Sequence, residues 1–465
     1  MIHNDRLNDT VIALSTPQGS GAIAVIRITG ANTFSIADKL IPNKKLGNKE
    51  SHTAHFGLVK ENDIVVDEVV ATVFKAPKTY TGQDIVEISC HASEYIINKI
   101  IELGLANGAR MAEAGEFTMR AFLNGKLDLA QAEAVADLIA SETKTAHEIA
   151  MQQMRGGFSE EIQVLRNQLI KFASLIELEN DFGEEDVEFA NRTELLQTVN
   201  NIQGKISGLI ESFKYGNAIK KGVPVAIIGS PNVGKSTLLN ALLNEEKAIV
   251  SPIAGTTRDV IEDTINIDGI RFRFIDTAGI HETEDYVESL GIDRSKAQIE
   301  KAQIVIYLAE ISEDYETIIQ NFKTIIPNPS QAVIIVLNKA DEFHTCHQYD
   351  VEEAVSTLLN RTKTIALSAK EKTNLDLLKT ELVKMVKSDN ITANQTILSN
   401  ARHHQAFINA YESLNRVVDG FKNQTPSDII ALDIRHALQY MGEVSGVITT
   451  DDLLDSIFRD FCIGK

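Results

Sequence analysis

The sequence predicts a multidomain protein: an α+β N-terminal domain, a discontinuous all-α domain, and an α/β P-loop domain inserted into the helical one. Three observations carry this. First, Gly229-Ser-Pro-Asn-Val-Gly-Lys-Ser236 lies between the apolar, β-branched run Val223 to Ile228 and the helix-forming stretch Thr237 to Leu243. Strand, glycine loop, Lys-Ser and helix form the setting that a phosphate-binding loop requires. Second, strand-like and helix-like segments alternate from there to about residue 380, as in a parallel doubly wound sheet. Third, long helical periodicity comes before and after that stretch, so the flanking helices are expected to pack as one bundle around an insertion.

Taken in order, residues 1–118 read as α+β. Ala22-Ile-Ala-Val-Ile-Arg-Ile28 and Val65 to Phe74 are rich in β-branched residues and read as strands, and Tyr95 to Leu105 reads as a helix. Residues 119–215 turn helical, with apolar residues at helical spacing over Lys126–Ile139, Ile162–Glu179 and Glu194–Lys214. Gly216-Asn-Ala-Ile-Lys-Lys-Gly222 is expected to be a linker that opens the α/β domain, 216–380. Residues 381–465 complete the helical domain, with helices over Ala401–Asn423, Ile429–Met441 and Asp451–Phe461.

Composition narrows the class. A chain of 465 residues with 43% hydrophobic and 24% charged residues is that of a globular protein of several domains. Cys90, Cys346 and Cys462 have no paired spacing, which argues against a disulfide framework or a zinc knuckle. No signal peptide is expected at the N-terminus, and apolar runs such as Ala332 to Leu337 are too short to span a bilayer, so a cytoplasmic protein with no membrane role is expected. The net charge of −20 argues against broad nucleic-acid binding, so any RNA contact must be local or made through a partner. The acidic run from Glu177 to Glu188 reads as a solvated loop between helices, with a metal site as the alternative.

The chemistry centres on the glycine loop. Gly229 and Gly234 let the backbone turn its N–H groups towards an anion, and the helix start adds its positive end. Asn232, Val233, Gly234, Lys235, Ser236 and Thr237 are the expected phosphate contacts; Lys235 neutralises phosphate charge and the Ser236 hydroxyl ligates Mg²⁺. Gly255-Thr-Thr-Arg-Asp259 supplies threonine hydroxyls for a switch loop. Phe272-Arg-Phe-Ile-Asp276-Thr277-Ala278-Gly279 is a strand ending in Asp-x-x-Gly, whose aspartate can hold the Mg²⁺ shell and whose Gly279 N–H can reach a γ-phosphate. Asn338-Lys339-Ala340-Asp341 follows a buried-strand pattern, and the Asp341 carboxylate can accept from the N1–H and 2-amino groups of guanine, which adenine lacks. Ser368-Ala369-Lys370 backs the base. The order of these pieces, each at a strand end, points to a GTPase. Ile280 stands where many GTPases carry a water-orienting glutamine, so another group must position the water. Asn232 is either a K⁺ ligand beside the phosphates or a turn residue that tolerates unusual backbone angles.

The whole chain resembles the MnmE (TrmE) family of tRNA-modifying GTPases. The resemblance rests on the P-loop with Asn232, on Gly255 to Asp259, on Ala121-Phe-Leu-Asn-Gly-Lys-Leu-Asp-Leu-Ala-Gln-Ala-Glu-Ala134, and on the terminal Phe461-Cys-Ile-Gly-Lys465. It implies an N-terminal domain similar to folate-binding aminomethyltransferases, which also makes a homodimer. It implies a flavoprotein partner, MnmG (GidA), forming a heterotetramer or larger complex. The pair would add an aminomethyl or carboxymethylaminomethyl group to carbon 5 of the wobble uridine of certain tRNAs. The one-carbon unit would come from a 5-formyl- or methylene-tetrahydrofolate, and GTP hydrolysis to GDP would be K⁺-dependent and accompany pairing of two G domains.

By position, Ser251, Pro252, Ile253, Ala254, Gly255, Thr256 and Thr257 would line the nucleotide. Asn232, Ser251, Ile253 and Thr256 would hold K⁺, and Thr257 would join Ser236 on Mg²⁺. Glu288 would replace the missing glutamine through a bridging water, which makes Glu288, Thr257 and Lys235 the catalytic set. Arg27, Glu87, Lys126 and Lys465 would form the folate site. Ser89-Cys-His-Ala-Ser93 departs from the family's glycine-rich stretch, with Cys90, Ala92 and Ser93 in place of glycines, and implies a different local turn. Cys462 lies beside that site as a packing residue or a thiol with chemistry. A ribosome-assembly GTPase of the Era-like group would instead carry an RNA-binding appendage such as a KH domain, and a membrane-remodelling GTPase a basic amphipathic helix or apolar anchor; the sequence shows neither.

Overall fold

The structure is a computed structural model that describes residues 8–19, 21–42, 44–181, 192–246, 263–275, 299–325, 332–342, 362–386, 396–459 and 461–464. The chain forms two compact units: Met1–Ala140 with Ala150–Gly204 and Ala406–Lys465, and Ser141–Ile149 with Lys205–Gln405.

The first unit holds a sheet of β1 (Val11–Leu14), β2 (Ile23–Thr29), β3 (Thr53–Glu61), β4 (Ile64–Phe74), β5 (Ile85–His91) and β6 (Arg110–Met111), in the order β3-β4-β5-β2-β1-β6. Its neighbours are antiparallel except for β1 and β6. The period of two along each strand sorts the faces. Val86, Ile88 and Cys90 of β5 enter a core with Ile26, Ile28 and Ile100. Glu87 and Ser89 therefore belong to the opposite face, where Arg27 of β2 stands in register with Glu87. The helices Thr33–Leu40 and Glu94–Ala106 supply Ile36, Leu40 and Ile100 to the core side.

The same unit carries the helices Leu129–Ala140, Gly157–Asp181, Ser427–Ser445 and Asp451–Arg459. Helices from before and after the α/β insertion pack together, Gly157–Asp181 against Ser427–Ser445. After the last helix the chain returns to the N-terminal sheet domain: Ala114 and Ile463 form an antiparallel bridge, and Gly115 N–H donates to the Cys462 carbonyl over 3.3 Å.

The second unit holds β7 (Val223–Gly229), β8 (Asp263–Ile267), β9 (Ile270–Phe274), β10 (Ile304–Glu310), β11 (Ala332–Asn338) and β12 (Thr362–Ala366), in the order β12-β11-β10-β7-β9-β8. All neighbours are parallel except the β8–β9 hairpin. The central strands β10 and β11 are buried almost throughout, as near-continuous apolar runs in a two-sided sheet must be. Strand β7 lies between β10 and β9. The order of the strands reverses there, and ligands of such sheets bind beyond the carboxyl end of that position.

The expected linker at Gly216 to Gly222 is a helix instead. Arg192–Lys221 runs unbroken to the start of β7. Ala218 and Ile219 are 1% and 3% exposed in the core of the second unit, so burial holds a glycine-bearing segment helical. Gly216 is required for packing rather than flexibility: a Cβ there would collide with the Leu398 carbonyl. The true break is Gly222, at φ 78°.

Candidate functional site

At the end of β7 the chain turns through Gly229 (φ 153°), Asn232 (φ 64°) and Gly234 (φ 96°) into the helix Lys235–Glu246. A Cβ on Gly229 would strike the Leu308 carbonyl of β10, and one on Gly234 would strike the Asn338 amide. Both glycines are therefore demanded by close approach as well as by backbone angle. Asn232 does adopt the left-handed angle that its turn role requires. The Lys235 ammonium donates to the Gly229 and Ser230 carbonyls over 3.0 and 2.8 Å, which holds it at the mouth of the loop. Burial pushes its pKa down.

Asn338 joins the pieces. It is 3% exposed; its Nδ2 donates to the Val233 carbonyl of the loop over 2.8 Å, and its Oδ1 accepts from the Ala369 N–H over 3.0 Å. One side chain thus staples the phosphate loop to the Ser368-Ala-Lys370 loop. The next residue, Lys339 (φ 63°), extends away to pair with Glu310 at 2.9 Å. The Ser368 hydroxyl hydrogen-bonds Asp341 and, with Lys370 nearby, holds its carboxyl below the usual range. Asp341 is thereby kept ionised as an acceptor for donor edges of a base. Sequence reasoning missed Glu310, for which no motif signals. Ser236 and Thr237 sit in the first turn of the helix, where N–H groups converge on an anion.

The expected switch residues 251–257, together with Asp276, Thr277, Ala278, Gly279, Ile280 and Glu288, lie outside the described residues, as do Cys346, Lys465 and the acidic stretch 182–188.

A second constellation forms in the first unit. Arg27 Nε donates to Glu87 Oε1 over 2.8 Å, and its Nη2 pairs with the same oxygen at 2.8 Å. Both bonds fall on one carboxylate oxygen, which leaves Oε2 clear of that pair. The guanidinium lies 5.7 Å from the Tyr80 ring centre and 5.3 Å from that of Phe117. Its Nη1 donates to the carbonyl of Gly464 over 3.4 Å. Tyr80 OH is 2.8 Å from Thr118 Oγ1, and burial keeps its phenol protonated well above neutral pH. Lys126 reaches the same loop: its Cε is 3.4 Å from where a Cβ on Gly82 would stand, and Asn124 Nδ2 donates to the Thr81 carbonyl over 2.7 Å. A carboxylate with one open oxygen, an arginine near two rings and a lysine against the adjoining loop suit a flat heterocycle with donors and an anionic tail. Arg27 and Glu87 are together as expected, with Lys126 against the adjoining loop. Tyr80 and Phe117 were not legible beforehand, because a lone aromatic reads as core.

Cys90 does not sit in a turn: β5 continues to His91, and Cys90 faces the core at 3% exposure with its thiol pushed up to about 11 by burial and by Asp67. Chain reversal begins only at Ala92, and Ser93 precedes the helix Glu94–Ala106. Cys462 is exposed. Among the described residues no helix is long and apolar enough to cross a membrane, and no group of His, Cys, Asp or Glu forms a metal cluster.

Comparison with known proteins covers the chain from end to end. A family model described as the MnmE helical domain matches residues 129–462, and one described as the GTP-binding protein TrmE N-terminus matches residues 10–126. The chain is 51% identical to the tRNA modification GTPase MnmE of Flavobacterium johnsoniae, over 98% of this chain and 99% of that one. It is 49% identical to the protein of the same name from Christiangramia forsetii, over 99% and 100%. Among solved structures, Era bound to MgGDPNP and a 16S ribosomal RNA fragment overlaps 41% of this chain and 66% of its own, at 28% identity and a TM-score of 0.28.

Proposed function

The chain belongs to the MnmE family of tRNA modification GTPases, and from that premise we propose how its parts divide the work. It is a GTP hydrolase that acts in tRNA modification. Full-length family membership replaces the ribosome-assembly alternative.

The proposed division has four parts: 1–118 for tetrahydrofolate binding and homodimer formation, 119–215 and 381–465 as one helical domain, and 216–380 as the G domain. The reaction is addition of an aminomethyl or carboxymethylaminomethyl group at carbon 5 of wobble uridine, carried out with an MnmG-type flavoprotein in the cytoplasm. In the G domain, the loop from Asn232 to Thr237 and the Lys235 ammonium hold the phosphates, and Asp341, backed by Ser368, Ala369 and Lys370, selects guanine. Asn338 keeps the base loop and the phosphate loop at a set distance. Ser236 and Thr257 would hold Mg²⁺; Asn232, Ser251, Ile253 and Thr256 would hold K⁺. Bound there, the ions would supply positive charge beside the phosphates. Gly255 and the Asp276-Thr-Ala-Gly279 loop would sense the γ-phosphate. Glu288 would orient the attacking water in place of the absent glutamine.

In the first unit Glu87, Arg27, Lys126 and Lys465 would bind a 5-formyl- or methylene-tetrahydrofolate, which supplies the one-carbon unit. Glu87 Oε2 would accept from the pterin donors, and the cations would meet the glutamate tail. Tyr80 and Phe117 keep the Arg27 guanidinium in place. The single observation that supports this division is the Arg27–Glu87 pair near two rings, met by the carbonyl of Gly464, in the unit that does not contain the P-loop.

The test is nucleoside analysis of tRNA from cells lacking the chain, complemented with wild type or with Arg27→Ala. Loss of the carbon-5 group on deletion, restored by wild type and not by the variant, is expected. Full modification in cells lacking the chain refutes the proposal.

A further inference from the structure

Buried arginines in the first unit fall into two kinds. Arg120, fully buried, is compensated: it donates to Glu116, to Gln83 and to the Asp9 carbonyl, and pairs with the Asp9 carboxylate. Arg166, on the helix Gly157–Asp181, is only 7% exposed, and its Nε is buried with no hydrogen-bond partner. Among the described residues no carboxylate comes within ion-pair distance of it. Burial alone moves its pKa, downwards, with no charged neighbour opposing. Ser159 Oγ, seven residues earlier and so on the same helix face, is a second buried polar atom without a partner. A buried cation with no counter-charge among the described residues costs a fold several kcal/mol and calls for one from elsewhere.

The surroundings indicate what. The guanidinium lies against Gly442 of the helix Ser427–Ser445: Arg166 Nη2 is 3.5 Å, and Ile448 Cδ1 3.0 Å, from where a Cβ on Gly442 would stand. Ile448 is 40% exposed and Val447 61% exposed, and Ile170, one turn beyond Arg166, is 41% exposed. Their turn is held rigidly. Gly446 is at φ 78° with Leu129 and Phe122 packed where a Cβ would be, and Ile448 N–H donates to the Gly442 carbonyl over 3.3 Å.

We propose that Arg166, rimmed by Ile170, Val447 and Ile448, is a docking point for a partner polypeptide that presents a carboxylate beside an apolar side chain. A desolvated arginine beside exposed apolar side chains is the composition of an interface anchor, and a carboxylate is the group a guanidinium fork binds with two bonds. A net charge of −20 disfavours a polyanionic RNA at a single cation. This docking point deepens the function proposed above, whose flavoprotein partner is the probe.

The test is the equilibrium affinity of the full chain for the MnmG-type flavoprotein, with tRNA affinity, GTP turnover and melting temperature in parallel. Arg166→Met keeps the apolar stem and removes the charge. It is expected to weaken the flavoprotein complex at least about tenfold, to leave tRNA affinity and GTP turnover unchanged, and not to lower the melting temperature, because an uncompensated charge has gone. Val447→Asp, at an exposed site, is expected to weaken the same complex by repelling the incoming carboxylate. Wild-type affinity in a folded Arg166→Met chain overturns the docking point while leaving the proposed function standing. A selective loss of tRNA affinity overturns it in favour of a phosphate ligand, and a lowered melting temperature overturns it in favour of a structural arginine. Absence of any complex with wild type overturns the partner assignment itself, and this site with it.

Discussion

Replacing Asn338 by Ala removes the staple between the phosphate loop and the base loop. Its side chain bonds the Val233 carbonyl at 2.8 Å and the Ala369 N–H at 3.0 Å, in surroundings where Val233 and Ala369 are 2% and 3% exposed. Alanine leaves a buried carbonyl and a buried N–H without partners, each costing about 1–3 kcal/mol. The expected loss is about 2–6 kcal/mol in the nucleotide-free protein, before any nucleotide contact is counted. For a unit of this size that lowers the melting temperature on the order of 5–20 °C. Nucleotide affinity falls as well, because both loops lose their common support; a residual misplacement worth about 1.4 kcal/mol is tenfold in Kd. Asn338→Asp is the sharper control: it keeps an acceptor for the Ala369 N–H and sets a negative oxygen against the Val233 carbonyl, so it is expected to be at least as damaging. Calorimetry without nucleotide, followed by titration with fluorescent GDP, reads both effects. An Asn338→Ala protein that melts within about 2 °C of wild type and binds GDP equally well would refute the staple.

Further outcomes follow from the same sites. Ser368→Ala removes the largest influence holding the Asp341 carboxyl down. Because a depressed carboxyl pKa keeps the charged acceptor present until pH falls through the folded value, the variant is expected to lose GDP binding at higher pH on acidification; an unmoved acid limb, read by titration across pH, argues against that role. Asp341→Asn is expected to abolish discrimination in favour of guanine, checked by competition with xanthine nucleotides. Glu288→Ala should cut single-turnover GTP hydrolysis sharply with affinity nearly intact, and retained turnover sinks its assignment. GTPase rate in K⁺ against Na⁺ tests Asn232 as a cation ligand, with equal rates rejecting it. Glu87→Gln and Arg27→Ala in the full chain should weaken 5-formyl-tetrahydrofolate binding at least about tenfold, by loss of a charge-assisted contact; calorimetric titration showing unchanged affinity would remove the folate reading.

Local pattern made most elements legible. The β-branched runs at Ala22–Ile28 and Val65–Phe74 are strands β2 and β4, and the helix expected over Ile429–Met441 lies inside Ser427–Ser445. The stretch at Gly216 was misleading because two glycines and two lysines look like a linker in isolation, whereas buried Ala218 and Ile219 hold it in a helix. Ser89 to Ser93 misled for the opposite reason: the expected turn is mostly strand, because Cys90 completes the alternation of Val86 and Ile88 into the core.

The sequence by itself determined the fold class, the nucleotide chemistry and the family, since strand, loop and helix signals, the Gly234-Lys235 motif and the Asn338 to Asp341 motif are each local in the chain. Only the tertiary structure decided which distant residues meet. Arg27 and Gly464 are separated by 437 positions and Asn338 and Val233 by 105, and no periodicity or motif encodes such a pairing. Tyr80 and Phe117 come within 5.7 and 5.3 Å of the Arg27 guanidinium, and Arg166 is buried with its Nε unpartnered, only through packing. Burial sets the energetic cost of a polar group, and burial is a property of the packed chain that no short stretch of sequence contains.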